Sequence, residues 1–262
     1  MSEHAPVAAA ILAGGDATDK VALAGGAPCK PLVAIEGRSL VSWVAEALAG
    51  ASSVGPVVVV EGPTAPISAS GVALGVPIVT AAGPSFIDTI TAAAQAHPDA
   101  ERLLLATGDL AMLTPAAVDG FVASCQDTHA ELSYPLVHLE EFDRAFPGRE
   151  KSPVRLREGR FIGANLVMIS RRFILEQGPV IARTFAERKS KLGMCRIFGW
   201  GFVLRLALGR LSVADLERRA SEMLGTMVQA VPTPRPEIAF DVDDADDLEL
   251  ARHYRRRRLE GA

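Results

Sequence analysis

The sequence predicts an α/β fold with a doubly wound sheet, and two patterns support this prediction. Short apolar runs at residues 8–15, 57–62 and 103–109 contain or end at glycine, as buried parallel strands do. Helical patterns cover residues 87–96 and 115–124. Strands and helices that alternate in this way are typical of a doubly wound sheet, which binds its ligands at the carboxyl ends of its strands.

Length and composition limit the architecture and the function. The chain has 262 residues, of which 49% are hydrophobic and 22% charged, so we expect a single domain over residues 1–262 with one sizeable core. A formal net charge of -4 argues against a general nucleic-acid surface. Three widely spaced cysteines argue against a zinc site or a disulfide framework. The N-terminus shows no signal-peptide pattern, and we expect a cytoplasmic protein.

The first motif is the strand that runs into Gly14 and Gly15, followed by Lys30 and by the helix entry at residues 37–41. Paired glycines after a strand let backbone N–H groups approach a phosphate chain closely, because no side chain holds the ligand away. A diglycine alone is more often a plain turn. The motif therefore indicates a nucleotide site only together with the motifs that follow.

Two acidic motifs come later in the chain. Asp109 follows the run at residues 103–108, where an aspartate is also a common cap or turn residue. In the run 241–247, Asp244 can cap the next helix, and the acidic residues after it suit the positive end of that helix. Asp241 and Asp243 precede the cap, and on a strand they would point the same way.

In this order, the motifs resemble those of the MobA-like nucleotidyltransferases, which include molybdenum-cofactor nucleotidyltransferases and cytidylyltransferases of sugar-alcohol phosphates. The family has a strand ending Leu-Ala-Gly-Gly, a loop, a Lys and a Gly-Arg-Pro-Leu-like helix entry. A strand-Asp-x-Pro-x-x-Thr-Pro element and an Asp-Val-Asp-Thr-Pro-Glu-Asp-Leu motif follow. The resemblance implies a Rossmann-like mixed sheet of the nucleotide-diphospho-sugar transferase (GT-A-like) type in three α/β/α layers. It also implies a nucleotide-binding half at about 1–125 and an acceptor-binding half at about 126–262.

The same resemblance implies a magnesium-dependent enzyme, with Mn²⁺ as the alternative ion. It would transfer NMP from an NTP to a phosphate or hydroxyl of a small-molecule or lipid-linked acceptor and release pyrophosphate. Lys30 and Asp109 are the implied catalytic residues. Asp109 and Asp243 are the favoured metal ligands, with Asp241 close behind. The implied nucleotide-binding residues are Leu12, Ala13, Gly14, Gly15, Lys20, Lys30, Asp88 and Thr89.

Acceptor binding is implied for Gly163 and Asn165, because residues 163–169 resemble the family's Gly-Gly-Asn strand. An edge turn is an equally open interpretation of this segment. Lys151, Arg155 and Arg157 would suit an anionic acceptor, although an exposed hairpin is the commoner meaning of such alternating cations.

The loop at residues 16–26 departs from the family's Gly-x-Arg-Met-Gly pattern, because Lys20 is its one cation. A nucleotide-binding regulatory module without turnover is therefore one alternative. A glycosyltransferase of related fold is another, since Asp241 and Asp243 have Asp-x-Asp spacing, but this pair lies too near the C-terminus for such a motif.

A nearly continuous apolar segment at residues 192–211 is interrupted by Arg196, Arg205 and Arg210, which argues against a transmembrane helix. We expect this segment to pack on the acceptor side or across a homodimer interface. Weak contact with a membrane surface is the alternative, because the arginines at 255–258 would favour anionic lipid. Those arginines also suit a helix C-terminus.

Overall fold

The computed structural model describes residues 5–15, 18–64, 67–126, 128–187 and 199–261. Its strands are β1 (Val7–Ala13), β2 (Ala34–Ile35), β3 (Arg38–Ser39), β4 (Val54–Glu61), β5 (Ile78–Thr80), β6 (Arg102–Thr107), β7 (Leu132–His138), β8 (Val154–Leu156), β9 (Gly159–Gly163), β10 (Leu166–Ser170) and β11 (Val228–Pro232). Its α-helices are α1 (Lys20–Gly25), α2 (Leu40–Ala49), α3 (Phe86–Ala96), α4 (Pro115–Gln126), α5 (Leu139–Ala145), α6 (Arg171–Glu176), α7 (Gly178–Glu187), α8 (Trp200–Ala207), α9 (Val213–Leu224) and α10 (Ala245–Glu260).

The predicted doubly wound fold is confirmed. Nine strands form one mixed sheet in the order β5-β4-β1-β6-β10-β7-β9-β8, and β11 pairs with β7. Strand β1 lies parallel to both β4 and β6. The chain runs from β1 outward to β4 and β5 and then returns to β6 on the other side of β1, so the strand order reverses there. Such a reversal opens a crevice at the carboxyl ends of the strands.

Helices cover both faces of the sheet, which gives the expected three layers. Successive residues of β1 point to opposite faces: Ala9 and Ile11 join the larger core cluster, which includes α2 and α4 side chains, whereas Ala8 and Ala10 join the cluster that includes α3 and α6. All four side chains are buried. A strand buried on both faces explains the unbroken apolar run in the sequence.

The segment 18–26, expected to be an irregular loop, contains helix α1. Asp19 caps this helix, because its carboxylate accepts hydrogen bonds from Val21 N at 2.9 Å and Ala22 N at 3.2 Å. Gly26 ends the helix at a φ of 64°, a conformation that glycine adopts without steric cost. Asp16 and Ala17 lie outside the described residues.

The acidic segment 241–243 does not form the expected strand. It makes one isolated bridge, between Asp241 and Leu110, and it lies between a short 3-10 helix at Pro236–Ala239 and α10. Asp244 caps α10 as predicted, accepting from Asp247 N at 2.9 Å. These two helical ends leave only a short extended stretch, so longer pairing with a neighbouring strand is not available.

Helix α8 is the described part of the apolar segment predicted at 192–211, whose first residues lie outside the described ranges. None of its residues is buried. Packing on the acceptor side or across a homodimer interface stays a prediction. One side of α8 packs on a cluster that includes Leu156 of β8, while its other side stays exposed. None of the described helices has the length and apolar character needed to cross a bilayer.

The arginines of α10 hold the loop that follows β6. Arg255 is buried, donates from Nε to Ala111 O at 2.6 Å, and donates from Nη2 to Leu113 O at 3.3 Å. Its guanidinium also stacks 4.1 Å from the ring centroid of Trp43. Burial lowers the pKa of Arg255 to about 10, so the group remains charged at neutral pH. The arginines are therefore structural in part, and Arg255 is unavailable to a membrane.

We expect Arg255→Ala to lower the free energy of unfolding by about 2–4 kcal/mol, because two buried carbonyls lose a charged donor. Arg257→Ala is the matched control, since Arg257 is exposed on the same helix; its effect should stay within about 0.5 kcal/mol. Urea unfolding of both variants measures the difference. Equal losses would show that the contacts of Arg255 with this loop are not important for stability.

Candidate active site

The two glycines after β1 leave their backbone accessible to solvent at the point where the strand order of the sheet reverses. Gly14 and Gly15 are exposed, and a Cβ atom built on either would meet no heavy atom within 4 Å. Gly15 has a φ of 121°, which side chains rarely permit. The end of β1 is tied to the end of β6, because Gly108 N donates to Leu12 O at 3.0 Å. This loop can therefore receive a ligand close to its backbone.

Asp109 directly follows this junction and is held from two sides. Its Oδ1 accepts from Thr107 Oγ1 at 2.5 Å. Its backbone carbonyl accepts from Ala111 N at 2.8 Å and from Val242 N at 3.3 Å. The second of these bonds brings the acidic segment of residues 241–243 to the carboxyl end of β6. Two motifs far apart in sequence thus meet at the predicted edge of the sheet.

Lys30 lies between the carboxylates of these two motifs. Its Nζ is 2.5 Å from Asp109 Oδ2 and 3.3 Å from Asp243 Oδ1. The side chains of Lys30 and Asp109 are only 16% and 15% exposed, whereas that of Asp243 is 60% exposed. Burial opposes the charge of Lys30, but attraction to the two carboxylates outweighs it and raises the pKa of Lys30 above its ordinary value. Lys30 is therefore a permanent cation at neutral pH.

Asp241 has a different set of partners from Asp243. Its Oδ2 accepts from Asn165 Nδ2 at 2.6 Å, and its Oδ1 forms ion pairs with Lys151 Nζ and, at 3.8 Å, with Arg149 Nη2. The structure thus joins the predicted residues Asn165 and Asp241 directly. Binding of an anionic acceptor was one interpretation of Lys151. Arg149 was not predicted to belong to the site, because no local sequence pattern marks it.

Asp247 links Arg149, a partner of Asp241, to the backbone of Asp243. Its Oδ1 is 2.7 Å from Arg149 Nε, and its Oδ2 accepts from Asp243 N at 2.9 Å. Burial raises the pKa of Asp247, while the Asp243 amide and the Arg149 charge partly offset this rise. Asp247 was expected only to suit the positive end of α10, but its contacts position the backbone of Asp243.

Other predicted site residues have structural partners of their own. Asp88 forms a capping box with Ser85 at the start of α3, and Thr89 Oγ1 donates to Ser85 O at 3.2 Å. Lys20 is exposed in the first turn of α1. Roles for Asp88, Thr89 and Lys20 in nucleotide binding stay predictions.

Gly163, predicted to bind the acceptor, has a steric role. A Cβ atom on Gly163 would lie only 2.0 Å from the hydroxyl oxygen of Tyr134. The absence of a side chain at Gly163 therefore makes room for Tyr134 of β7, and contact of Gly163 with an acceptor stays a prediction.

The site offers a small set of hard oxygen ligands. Within the described ranges, no three or more His, Cys, Asp or Glu side chains form a group that could hold a metal ion. Asp109 and Asp243 nevertheless converge on one cationic atom, Lys30 Nζ. Magnesium commonly takes one or two protein carboxylates and completes its shell with phosphates and waters. The two carboxylates therefore fit a magnesium ion bound together with a nucleotide.

Comparison with known proteins identifies the family of the chain. The model of the MobA-like NTP transferase domain matches residues 9–173. The structure of a hypothetical transferase from Thermus thermophilus is 34% identical, with a TM-score of 0.78, and the alignment covers 93% of this chain and 99% of that chain. A comparison with curated proteins gives no match.

More distant structures share the fold. A CMP:2-keto-3-deoxy-manno-octonic acid synthetase complexed with CTP aligns over 97% of this chain and 100% of its own, at 14% identity and a TM-score of 0.60. A 4-diphosphocytidyl-2C-methyl-D-erythritol synthase from Anaerococcus prevotii aligns over 96% of each chain, at 10% identity and a TM-score of 0.55. The family match extends from β1 through β10 and includes the Lys30–Asp109 pair at the reversal of strand order. The chain therefore belongs to the MobA-like NTP transferases and is a nucleotidyltransferase.

Proposed function

We propose that this protein transfers an NMP group from an NTP to a phosphate or hydroxyl acceptor with release of pyrophosphate, in a magnesium-dependent reaction. The observation that carries the proposal is the position of Lys30 between Asp109 and Asp243. This arrangement lies beside the open backbone of Gly14 and Gly15, at the reversal of strand order. Phosphate oxygens bound at that backbone would meet both a fixed cation and a pair of metal-binding carboxylates.

Asp109 and Asp243 are the residues that would hold the magnesium ion. When bound, the ion supplies Lewis-acid stabilisation of negative charge on phosphoryl oxygens. Asp243 is the better second ligand than Asp241, because its carboxylate is largely exposed and has one weak partner in Lys30. Asp241 would have to lose contacts with Asn165 and Lys151 to serve the same role.

Lys30 has an electrostatic role in this proposal. Its raised pKa excludes it as a general base at neutral pH, because the proton is held by two carboxylates. On nucleotide binding, its ammonium group would move from Asp243 toward the phosphoryl oxygens and stabilise charge that develops there. An acceptor phosphate would attack the α-phosphorus without losing a proton, so no base is needed for that class of acceptor.

The acceptor side is formed by Asn165, Asp241 and Lys151. Asn165 O accepts from Thr107 N at 3.1 Å, so its position is tied to the strand end that precedes Asp109. Lys151 is only 15% exposed and already neutralises Asp241. We infer that this group orients an acceptor opposite the nucleotide.

A regulatory module without turnover remains the competing function, and it is favoured by the arginine-free segment around α1. Incubation with each of the four NTPs, magnesium and a panel of phosphorylated and hydroxyl acceptors separates the two functions. Pyrophosphate release with a nucleotidylated product detected by mass spectrometry supports transfer. Tight nucleotide binding without pyrophosphate release under any acceptor would support the regulatory module.

We expect Asp109→Asn and Asp243→Asn each to lower kcat by roughly 10² or more, because each removes one carboxylate charge from the metal site at nearly constant volume. Asp246→Asn is the matched control, since this exposed aspartate lies in the first turn of α10. The measurement is pyrophosphate release across a magnesium titration. Wild-type rates in both site variants, or a larger effect of Asp241→Asn, would contradict the metal assignment.

Lys30→Met should lower kcat/KM by roughly 10² or more, the scale expected for a positioned charge in a partly buried site. Lys20→Met should have a milder effect, because Lys20 is exposed and at the start of α1. Steady-state kinetics of both variants make the comparison. If both retain wild-type kcat/KM, neither lysine stabilises the transition state.

A further inference from the structure

Helix α8 carries a stripe of large apolar side chains on its outer surface. Trp200, Leu204 and Leu208, the residue that ends the helix, are 71%, 62% and 55% exposed. Their spacing of four residues places them on one face. Single exposed apolar residues are common in proteins, but a continuous stripe that begins with tryptophan is typical of an interaction surface.

The opposite face of α8 fixes the helix to the protein. Phe202 and Leu206 pack against a cluster of buried side chains from β7, β8, β9 and the segment after α8. These two residues are about half a helical turn away from the stripe. The fold therefore holds α8 with its outer stripe directed away from the protein.

Exposed arginines border the C-terminal end of this stripe. Gly209 lies beside Arg155, because a Cβ atom on Gly209 would be 3.6 Å from Arg155 Cβ. Arg157 N donates to Leu211 O at 2.9 Å, and Arg210 is also exposed. We name Arg155, Arg157 and Arg210 the basic rim.

Two acidic side chains of the described residues, Asp215 and Glu158, have partners near α8. Asp215 is 14% exposed and pairs with Arg205 at 3.4 Å and with Arg218 at 2.7 Å. The Glu158 carboxylate accepts a hydrogen bond from Val213 N, at the start of α9. Glu158 is exposed and keeps its negative charge, but it stands against the three exposed arginines of the basic rim, so the balance of exposed charge among the described residues at this end of the stripe is positive.

We propose that the stripe and the basic rim together dock onto an anionic lipid bilayer. Tryptophan suits the membrane–water interface, the leucines would enter the acyl boundary, and the arginines complement anionic headgroups. Lipidation is not required for weak, reversible contact of this kind. The surface lies on the half of the chain that we assign to the acceptor, but this proposal does not depend on nucleotidyl transfer.

A second copy of the chain fits the surface less well. A twofold interface would place this surface of one protomer on the same surface of the other, and both copies of the surface carry a positive balance of exposed charge. Trp200, Leu204 and Leu208 also provide far less than the roughly 800 Å² that each partner contributes to a stable interface. Charge complementarity therefore favours the bilayer.

Intrinsic fluorescence provides a direct test, because the chain has two tryptophans and Trp43 is buried with 6% exposure. Trp200 should therefore dominate any spectral response. We expect a blue shift on adding vesicles of phosphatidylglycerol and phosphatidylcholine, and a much smaller one with phosphatidylcholine alone. High salt should reverse the shift, because it screens the arginines.

Co-sedimentation with the same vesicles measures the contribution of each side chain. Leu204→Asp should lower the partition coefficient at least about tenfold, as expected for removing one buried leucine and adding an anion. Arg155→Ala and Arg210→Ala should each lower it roughly fivefold. Leu175→Asp is the control, since Leu175 is an exposed leucine of α6 and its replacement should leave partitioning unchanged.

Three results would overturn the proposal. One is no partitioning into anionic vesicles by protein whose circular dichroism shows that it is folded. Another is equal partitioning of the wild type and Leu204→Asp. The third is a dimer in sedimentation velocity that Leu204→Asp dissociates while vesicle binding is absent, which would assign the stripe to a second copy. Because none of these readouts uses turnover, their failure is distinct from a failure of the proposed nucleotidyl transfer.

Discussion

The organisation of the site depends on the two ion pairs of Lys30. They join residues separated by as many as 213 positions in sequence, and they place one cation between two carboxylates that would otherwise repel each other. The Asp109 side of this arrangement is rigid, because Asp109 follows a central strand and its carboxylate is held by Thr107. Asp243 is the exposed partner, with most of its side chain in solvent.

Three aspartates at the start of α10 and just before it differ in how far their carboxylates are neutralised by partners. Asp241 is engaged by Asn165 and Lys151, and Asp247 is buried against Arg149. Asp243 alone of these three carboxylates is largely exposed, and the partner of its carboxylate is the Lys30 ammonium group at 3.3 Å. The three aspartates therefore have different roles. Asp241 orients neighbouring polar side chains, Asp247 fixes the backbone of Asp243, and the exposed carboxylate of Asp243 can exchange Lys30 for another partner.

Local pattern was sufficient to predict those parts of the site that follow directly from strands. The apolar run of β1 and the glycines after it indicate a strand and its open loop, and the position of Asp109 follows from the same logic at β6. The helical cap at Asp244 was also predictable, and its carboxylate accepts a hydrogen bond from Asp247 N at 2.9 Å. These features depend on neighbours in sequence, so short-range chemistry determines them.

Contacts between distant segments could not be read from the sequence. The segment around Asp241 was expected to be a strand, but the helices on either side restrict it to one bridge. Arg149 and Arg255 carry no local signature, because their partners come from packing of the complete fold. The exposed face of α8 could not be identified for a similar reason: composition shows that a segment is apolar, but not which of its faces is covered by neighbouring residues.

The contact between Arg255 and the loop after β6 has a consequence for how the molecule is made. Arg255 and its acceptor, Ala111, are 144 positions apart. The ribosome therefore synthesises the loop well before it synthesises the arginine that supports the loop. Strand pairing among β1, β4 and β6 can form early, while the loop bearing Asp109 waits for α10. Long-range closure of this kind is slow relative to local folding. In a nascent chain, β1, β4 and β6 are therefore available for pairing before Arg255 is available to support the loop after β6.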